Sequence, residues 1–272
     1  MVSPSDQPIA PRAAPKRFAL VGLPRTGTNW TMNLINSMGG ITCFSEIYGQ
    51  NPPAMKDWAK CGPEMFTRWQ RTVHPVRSRV EFFDRLTSEV VDNDVVGVKL
   101  LYNHLCWPTR GALNHPRIHA VTRMRALERW MAEQDVLVIA LVRENLLKLY
   151  VSFQLARRDG TWHALSGDRR SGTISLDRSR VLRDLTVLET QQAGVVAFAE
   201  PFRHLVVRYE AEPAERYAAL AVALDRDPSA FVPPLRSVKQ TSDDLAEVIE
   251  NFDEVAAALA GTRFEGLLAV TR

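Results

Sequence analysis

Residues 18–29, with the sequence FALVGLPRTGTN, combine an apolar run, two glycines and several hydrogen-bond donors. Gly22 and Gly27 are separated by four residues, which is the glycine spacing of a Walker A phosphate-binding loop. Thr28 and Asn29 stand where that motif requires lysine followed by serine or threonine. Because that lysine contacts the β- and γ-phosphates of a nucleoside triphosphate, its absence predicts a different anionic ligand.

The loop itself, residues 23–29, offers several groups that suit an anion. Its backbone N–H groups can converge on a ligand at the N-terminus of the helix that follows. Arg25 adds a permanent charge, and Gly27 allows a ligand to approach the backbone closely. Thr26 and Thr28 add hydroxyl groups. Each residue alone also fits an ordinary strand-to-helix turn, whereas the combination favours an anion site.

A second candidate site is formed by Arg143 and Ser152. Residues 136–142 are an apolar run that predicts a buried strand, and residues 145–157 have the pattern of a helix. Arg143 should therefore lie at the same sheet edge as the first loop, with Ser152 on the following helix. This guanidinium and this hydroxyl could hold a second anion. An arginine in an ion pair and a buried serine remain the alternative interpretation.

Strand and helix patterns alternate along the chain, which predicts an α/β fold with a mostly parallel sheet covered on both faces. In such a sheet, ligands bind where the carboxyl ends of the strands lead into helices. Strands are predicted at residues 18–23, 41–46, 95–101, 136–142 and 204–209. Helices are predicted at residues 28–38, 76–91, 125–133, 145–157, 182–199, 214–224 and 245–259.

Composition narrows the class of protein. The 272 residues are enough for one substantial α/β domain, and a net charge of +3 is too small to indicate a nucleic-acid partner. The three cysteines form no CxxC pair and no metal-ligand cluster, which predicts a reducing compartment and no metal site. We expect a disordered tail at residues 1–16, a domain at 17–272, no membrane span and a cytoplasmic location.

The two motifs together resemble those of sulfotransferases that use 3′-phosphoadenosine 5′-phosphosulfate (PAPS). Residues 24–29 are similar to the loop that holds the 5′-phosphosulfate, and Arg143 with Ser152 to the pair that holds the 3′-phosphate. The local sequences VGVKL at 96–100, RENLL at 143–147 and GTWH at 160–163 are closer to bacterial carbohydrate sulfotransferases, such as those that modify nodulation factors or trehalose glycolipids.

This resemblance implies a single P-loop-NTPase-like domain, PAPS as sulfuryl donor with 3′-phosphoadenosine 5′-phosphate (PAP) as product, and no metal. The acceptor would be a hydroxyl group of a carbohydrate or glycoconjugate. The donor-binding residues that it implies are Arg25, Thr26, Gly27, Thr28, Asn29, Arg143 and Ser152. Lys239 or Arg236 would add contacts to the 3′-phosphate.

The resemblance also implies which residues carry out the transfer. Arg25 and the loop amides would stabilise the charge that develops on the 5′-phosphate. Glu46 matches the glutamate that acts as the base for the acceptor hydroxyl in the bacterial enzymes. His104 and His163 are alternative bases, and Lys99 is a candidate transition-state cation that could point toward the site or away from it.

Two other classes of function remain open. One is a kinase or NTPase whose phosphate loop lacks the lysine and which would bind ATP with Mg²⁺. The other is a non-catalytic nucleotide- or glycan-binding protein on the same scaffold. The strand pattern at 136–142 ends in Arg143 and Glu144, which favours anion binding over metal binding. The sequence leaves the acceptor, the oligomeric state and the role of residues 159–177 open.

Overall fold

The computed structural model describes residues 15–45, 93–102, 116–160, 172–231 and 244–269. Within them, five parallel strands form one sheet in the order β2-β3-β1-β4-β5. The strands are β1 (Lys16–Gly22), β2 (Ile41–Phe44), β3 (Val95–Leu101), β4 (Leu137–Val142) and β5 (His204–Arg208). The prediction of an α/β fold with a parallel central sheet is confirmed.

Helices connect the strands and cover the sheet. They are α1 (Thr28–Asn36), α2 (Pro116–Glu133), α3 (Leu146–Asp159), α4 (Arg178–Ala199), α5 (Pro213–Ala223), α6 (Leu245–Val248) and α7 (Phe252–Leu259), followed by a 3₁₀ turn at Glu265–Leu268. The helix predicted at residues 76–91 and most of the predicted tail at 1–16 lie outside the described residues.

Successive side chains of each central strand enter two different cores, because neighbouring residues of a strand point to opposite faces. Ala19 and Val21 of β1 pack in one core together with helices α3 and α4. Phe18 and Leu20 pack in the other, with α1 and α5. Burial on both faces explains why β1, β3 and β4 are almost continuous apolar runs.

The predicted and observed limits differ by a few residues in most elements, and three cases are described here. Strand β1 begins at Lys16, and helix α2 begins at Pro116, well before the predicted start at residue 125. The single helix predicted at 245–259 is two helices, because Ile249 leaves the helical conformation and pairs with Ile174 in a parallel bridge. That bridge joins distant parts of the chain, so a local helical pattern could not indicate it.

No helix in the described ranges is long and apolar enough to cross a membrane. The same residues contain no group of three or more His, Cys, Asp or Glu side chains suited to a metal ion. The prediction that the domain spans residues 17–272 remains a prediction.

Candidate anion-binding site

The two predicted anion motifs begin at neighbouring positions of the sheet. Strands β1 and β4 pair directly, with Gly22 beside Leu141, so the loops that follow them emerge side by side. From β1 the chain continues to β2 and β3 on one side of the sheet, whereas β4 and β5 lie on the other. The crevice between β1 and β4 is therefore the topological switch point, where open α/β sheets bind ligands.

Tight packing fixes the first loop. A Cβ atom on Gly22 would lie 2.9 Å from the Thr26 hydroxyl oxygen and 3.1 Å from the Leu141 carbonyl oxygen. Thr26 is fully buried, and its hydroxyl donates to the Leu23 carbonyl at 2.7 Å. The hydroxyl proton of Thr26 therefore closes the loop on itself, a role different from the ligand contact expected from the sequence.

The loop leads into α1, and two of its residues have left-handed backbone conformations. Arg25 and Gly27 have φ angles of 71° and 83°, and Gly27 is the N-cap residue of α1. Within the described ranges no side chain caps this helix, and its first turn contains no acidic residue. Its amide groups and the positive end of its dipole therefore suit an anion.

The N-terminus of α3, at the second motif, is different because protein side chains already occupy it. Asn145 accepts a hydrogen bond from the Lys148 amide at 2.8 Å. The Glu210 carboxylate accepts from the amides of Glu144 and Asn145 at 2.9 and 3.1 Å. Of these two helix N-termini at the switch point, only that of α1 is without a side-chain cap.

Hydrogen bonds connect the two motifs to each other. Nε of Arg25 donates to the Ser152 hydroxyl at 3.0 Å, and Nη1 of Arg143 donates to the Arg25 carbonyl at 3.2 Å. Arg143 and Ser152 are 5% and 4% exposed, so these contacts form in a mostly dry environment. The backbone amide of Arg143 is also held, since it donates to the Gln192 side chain at 2.9 Å. The structure thus brings Arg25, Arg143 and Ser152 together.

Lys99 points toward the loop. It lies on β3 with 1% of its surface exposed, and its ammonium group donates to the side-chain carbonyl of Asn29 in the first turn of α1. Of the two orientations open from the sequence, the structure shows the one directed at the site. A lysine from the neighbouring strand β3 thus reaches the loop, although the loop itself contains none.

Three residues that the sequence analysis did not select border the same loop. The ring of Tyr209 lies against Gly27, where an added Cβ would be 2.5 Å from Cδ2 of the ring. The Arg143 guanidinium lies 4.6 Å from the centre of this ring. The Arg216 guanidinium lies 4.0 Å from the centre of the Trp30 ring and 5.5 Å from that of Tyr209.

Arg216 is unusual in its burial. It is 8% exposed, and its Nε and Nη1 atoms are buried without a hydrogen-bond partner among the described residues. Desolvation lowers the pKa of its guanidinium. Each buried donor without a partner costs about 1–3 kcal/mol, and a desolvated cation–π contact contributes about 2 kcal/mol in the opposite direction, so the two effects are of similar size. Trp30, directly after the loop, and Tyr209, directly after β5, could have been selected from the sequence because of their positions. The helical pattern around Arg216 gave no indication of its role.

The buried Tyr150, two residues before Ser152 on α3, is not a candidate base. It donates to Asp184 at 3.0 Å, and burial together with this carboxylate raises the pKa of Tyr150 to about 12. It remains protonated at neutral pH. Glu46, His104, His163 and Lys239, the other predicted site residues, lie outside the described residues.

Comparison with known proteins adds little to this description. No protein-family model matches the chain, and no curated protein matches it. A matching solved structure is the crystal structure of a sulfotransferase from Alicyclobacillus acidocaldarius, at 16% identity over 94% of this chain and 96% of that chain, with a TM-score of 0.46. A likeness this weak is no argument for a shared activity. The sheet and its loops define an α/β protein with a candidate anion site at the switch point.

Proposed function

We propose that this protein is a sulfotransferase that transfers a sulfuryl group from PAPS to a hydroxyl of a carbohydrate or glycoconjugate. The observation that carries the proposal is the hydrogen-bonded group of Arg25, Ser152 and Arg143 beside the uncapped N-terminus of α1. A ligand matched to this arrangement has two separate anionic groups. PAPS has them on one ribose, as a 5′-phosphosulfate and a 3′-phosphate.

The residues of the site fit such a ligand. The α1 amides and Arg25 suit the phosphosulfate, and the buried guanidinium of Arg143 suits the 3′-phosphate. The Glu210 carboxylate lies 4.0 Å from Nε of Arg143, and a phosphate would add charge-assisted hydrogen bonds to this guanidinium. Thr28 and Asn29 would contribute through their backbone amides at the start of the helix. Lys239 is proposed as a further contact to the 3′-phosphate.

When bound, PAPS supplies the sulfuryl group and leaves as PAP. The acceptor oxygen forms a bond to sulfur, and the bond between sulfur and the 5′-phosphate oxygen breaks. Arg25 and Lys99 would stabilise the negative charge that develops on the leaving phosphate. Glu46 would accept the proton of the acceptor hydroxyl as general base, with His104 and His163 as the alternatives.

The position of Lys99 also gives a reason to test a nucleoside triphosphate. Its ammonium group reaches Asn29 in the first turn of α1, near where a Walker A lysine would act. A kinase or NTPase could use such a lysine, but it would need Mg²⁺ as well. The comparison of ligands below therefore includes ATP with Mg²⁺.

Isothermal titration calorimetry of the full chain with PAP, AMP and ATP plus Mg²⁺ tests the donor. We expect PAP to bind at least about tenfold more tightly than AMP, because only PAP engages Arg143 with a phosphate. Tight ATP binding without preference for the 3′-phosphorylated ligand would refute the donor assignment. Transfer of ³⁵S from labelled PAPS to a panel of glycans then tests the acceptor class.

A further inference from the structure

Arg216 differs from the other buried arginines of the described structure. Arg17 donates from Nη1 to Gln134 at 2.6 Å, and Arg143 donates to the Arg25 carbonyl. Arg216 is equally buried, but its Nε and Nη1 meet no acceptor among the described residues. Its contacts there are the faces of two aromatic rings. Arg216 therefore has hydrogen-bond donors that the described residues do not use.

The carboxylates near Arg216 do not satisfy it. Glu210 is committed to the amides at the start of α3. Glu212 contributes a favourable electrostatic interaction with Arg216, as Glu210 does, but neither forms an ion pair with it within the described ranges. The dominant effect on its pKa is desolvation, which lowers it. A guanidinium in this condition is a good partner for a ligand that offers acceptor atoms.

The position of Arg216 connects it to the anion site. Arg143, Tyr209, Arg216 and Trp30 form an alternating series of guanidinium groups and aromatic rings, with centre-to-cation distances of 4.6, 5.5 and 4.0 Å. Tyr209 also lies against Gly27, the N-cap residue of α1. The series therefore leads from the residue assigned to the 3′-phosphate along the start of α1.

We propose that Arg216 is a further donor-binding residue that contacts the adenine base; this rests on PAPS being the donor. The base is the part of the donor not yet assigned to described residues, since the loop and Arg143 are assigned to its anionic groups. It is planar, and its ring nitrogens accept hydrogen bonds. A guanidinium group can both stack on such a plane and donate to such nitrogens.

The position of the Arg216 side chain implies how this contact forms. The guanidinium covers the Trp30 ring, and its Nε and Nη1 are shielded from solvent. A base can reach these atoms only when the Arg216 side chain moves away from Trp30. Arg216 thus exchanges its contact with the Trp30 ring for hydrogen bonds to the base when the donor binds.

Calorimetry with two ligands tests the inference. PAP carries the base, whereas ribose 3,5-bisphosphate keeps both phosphates and lacks it. In Arg216→Met we expect PAP to bind about tenfold more weakly, the loss expected for one hydrogen bond from a charged donor, with ribose 3,5-bisphosphate within about twofold of wild type. Arg203→Met removes the same charge from a side chain that is 51% exposed and precedes β5, and should leave both affinities unchanged.

A second variant separates base recognition from charge and from folding. Arg216→Lys keeps a cation near Trp30 but loses the forked donors, so it should show the same selective loss for PAP. If Arg216→Met does not fold, the lysine variant decides alone. PAP affinity within about twofold of wild type, or equal weakening of both ligands, overturns the inference. If the wild-type protein does not bind PAP, the proposed function fails and this inference fails with it. If the wild-type protein binds PAP and both Arg216 variants bind it equally well, only this inference fails.

Discussion

The Arg25 side chain is anchored by Ser152, a residue 127 positions away, through a hydrogen bond of 3.0 Å from Nε to the hydroxyl oxygen. The sequence assigned these two residues to opposite ends of one ligand. In the structure they are a bonded pair, and Arg143 completes the group by donating to the Arg25 carbonyl. The two candidate anion-binding regions are therefore connected, and loss of the Ser152 hydroxyl, which holds the Arg25 side chain, should affect both ends.

Ser152→Ala tests this coupling. Loss of the hydroxyl removes the acceptor for Arg25, so we expect weaker binding of PAP by about tenfold and of AMP by about fivefold. Calorimetry on both ligands measures the effect, and Ser179→Ala, which changes an exposed serine, is the control. An unchanged AMP affinity would show that Ser152 does not position Arg25 for the 5′-group.

Arg143→Ala should have a different signature. Its buried guanidinium is assigned to the 3′-phosphate, so PAP should bind about 100-fold more weakly, whereas AMP should lose less than about threefold. The matched control is Arg203→Ala, which changes an exposed arginine directly before β5. Equal weakening of PAP and AMP would contradict the assignment of Arg143 to the 3′-phosphate.

Gly27→Ala tests the close contact between the loop and Tyr209. Gly261→Ala is its control, since both glycines have positive φ angles, 83° and 69°, but only Gly27 has atoms within 4 Å of an added Cβ. Backbone strain alone should lower the free energy of unfolding of the Gly261 variant by about 1 kcal/mol. Overpacking should bring the Gly27 variant to about 3 kcal/mol, measured by urea unfolding. Equal losses would mean that the Tyr209 ring yields without cost.

Glu46→Gln separates binding from catalysis. If Glu46 is the base, the variant should bind PAP as wild type does while sulfuryl transfer falls by about 100-fold or more. The comparison requires calorimetry and a transfer assay on the same preparation. Turnover near the wild-type rate would transfer the role to His104 or His163, and the corresponding glutamine variants would then be measured.

The sequence predicted those parts of the site that depend on short spacing. A strand, a glycine loop and a helix are adjacent in the chain, so the positions of Arg25 and Gly27 followed from local pattern, and so did Arg143 at the end of β4. The bond between Arg25 and Ser152 did not follow, because it depends on the pairing of β1 with β4 and on side-chain direction.

Residues missed by the sequence analysis have the same physical explanation. Arg216 lies on a helix, where a charged residue is ordinarily expected to be exposed, yet packing against Trp30 buries it. The break between α6 and α7 depends on Ile249 pairing with Ile174. In both cases a partner distant in sequence decides the conformation, and the neighbouring residues carry no sign of it.

Glu210 makes the two helix N-termini at the switch point chemically different. By filling the start of α3 with its own carboxylate, 4.0 Å from Nε of Arg143, it lets the protein occupy a place where a ligand phosphate could otherwise bind. Among the described residues, the start of α1 has no such occupant. The proposed donor, which has two unlike anionic groups, would therefore meet two unlike helix ends, and binding in the reverse orientation would be disfavoured. The positions of the two helix N-termini along the sheet would thus set the orientation of the bound donor.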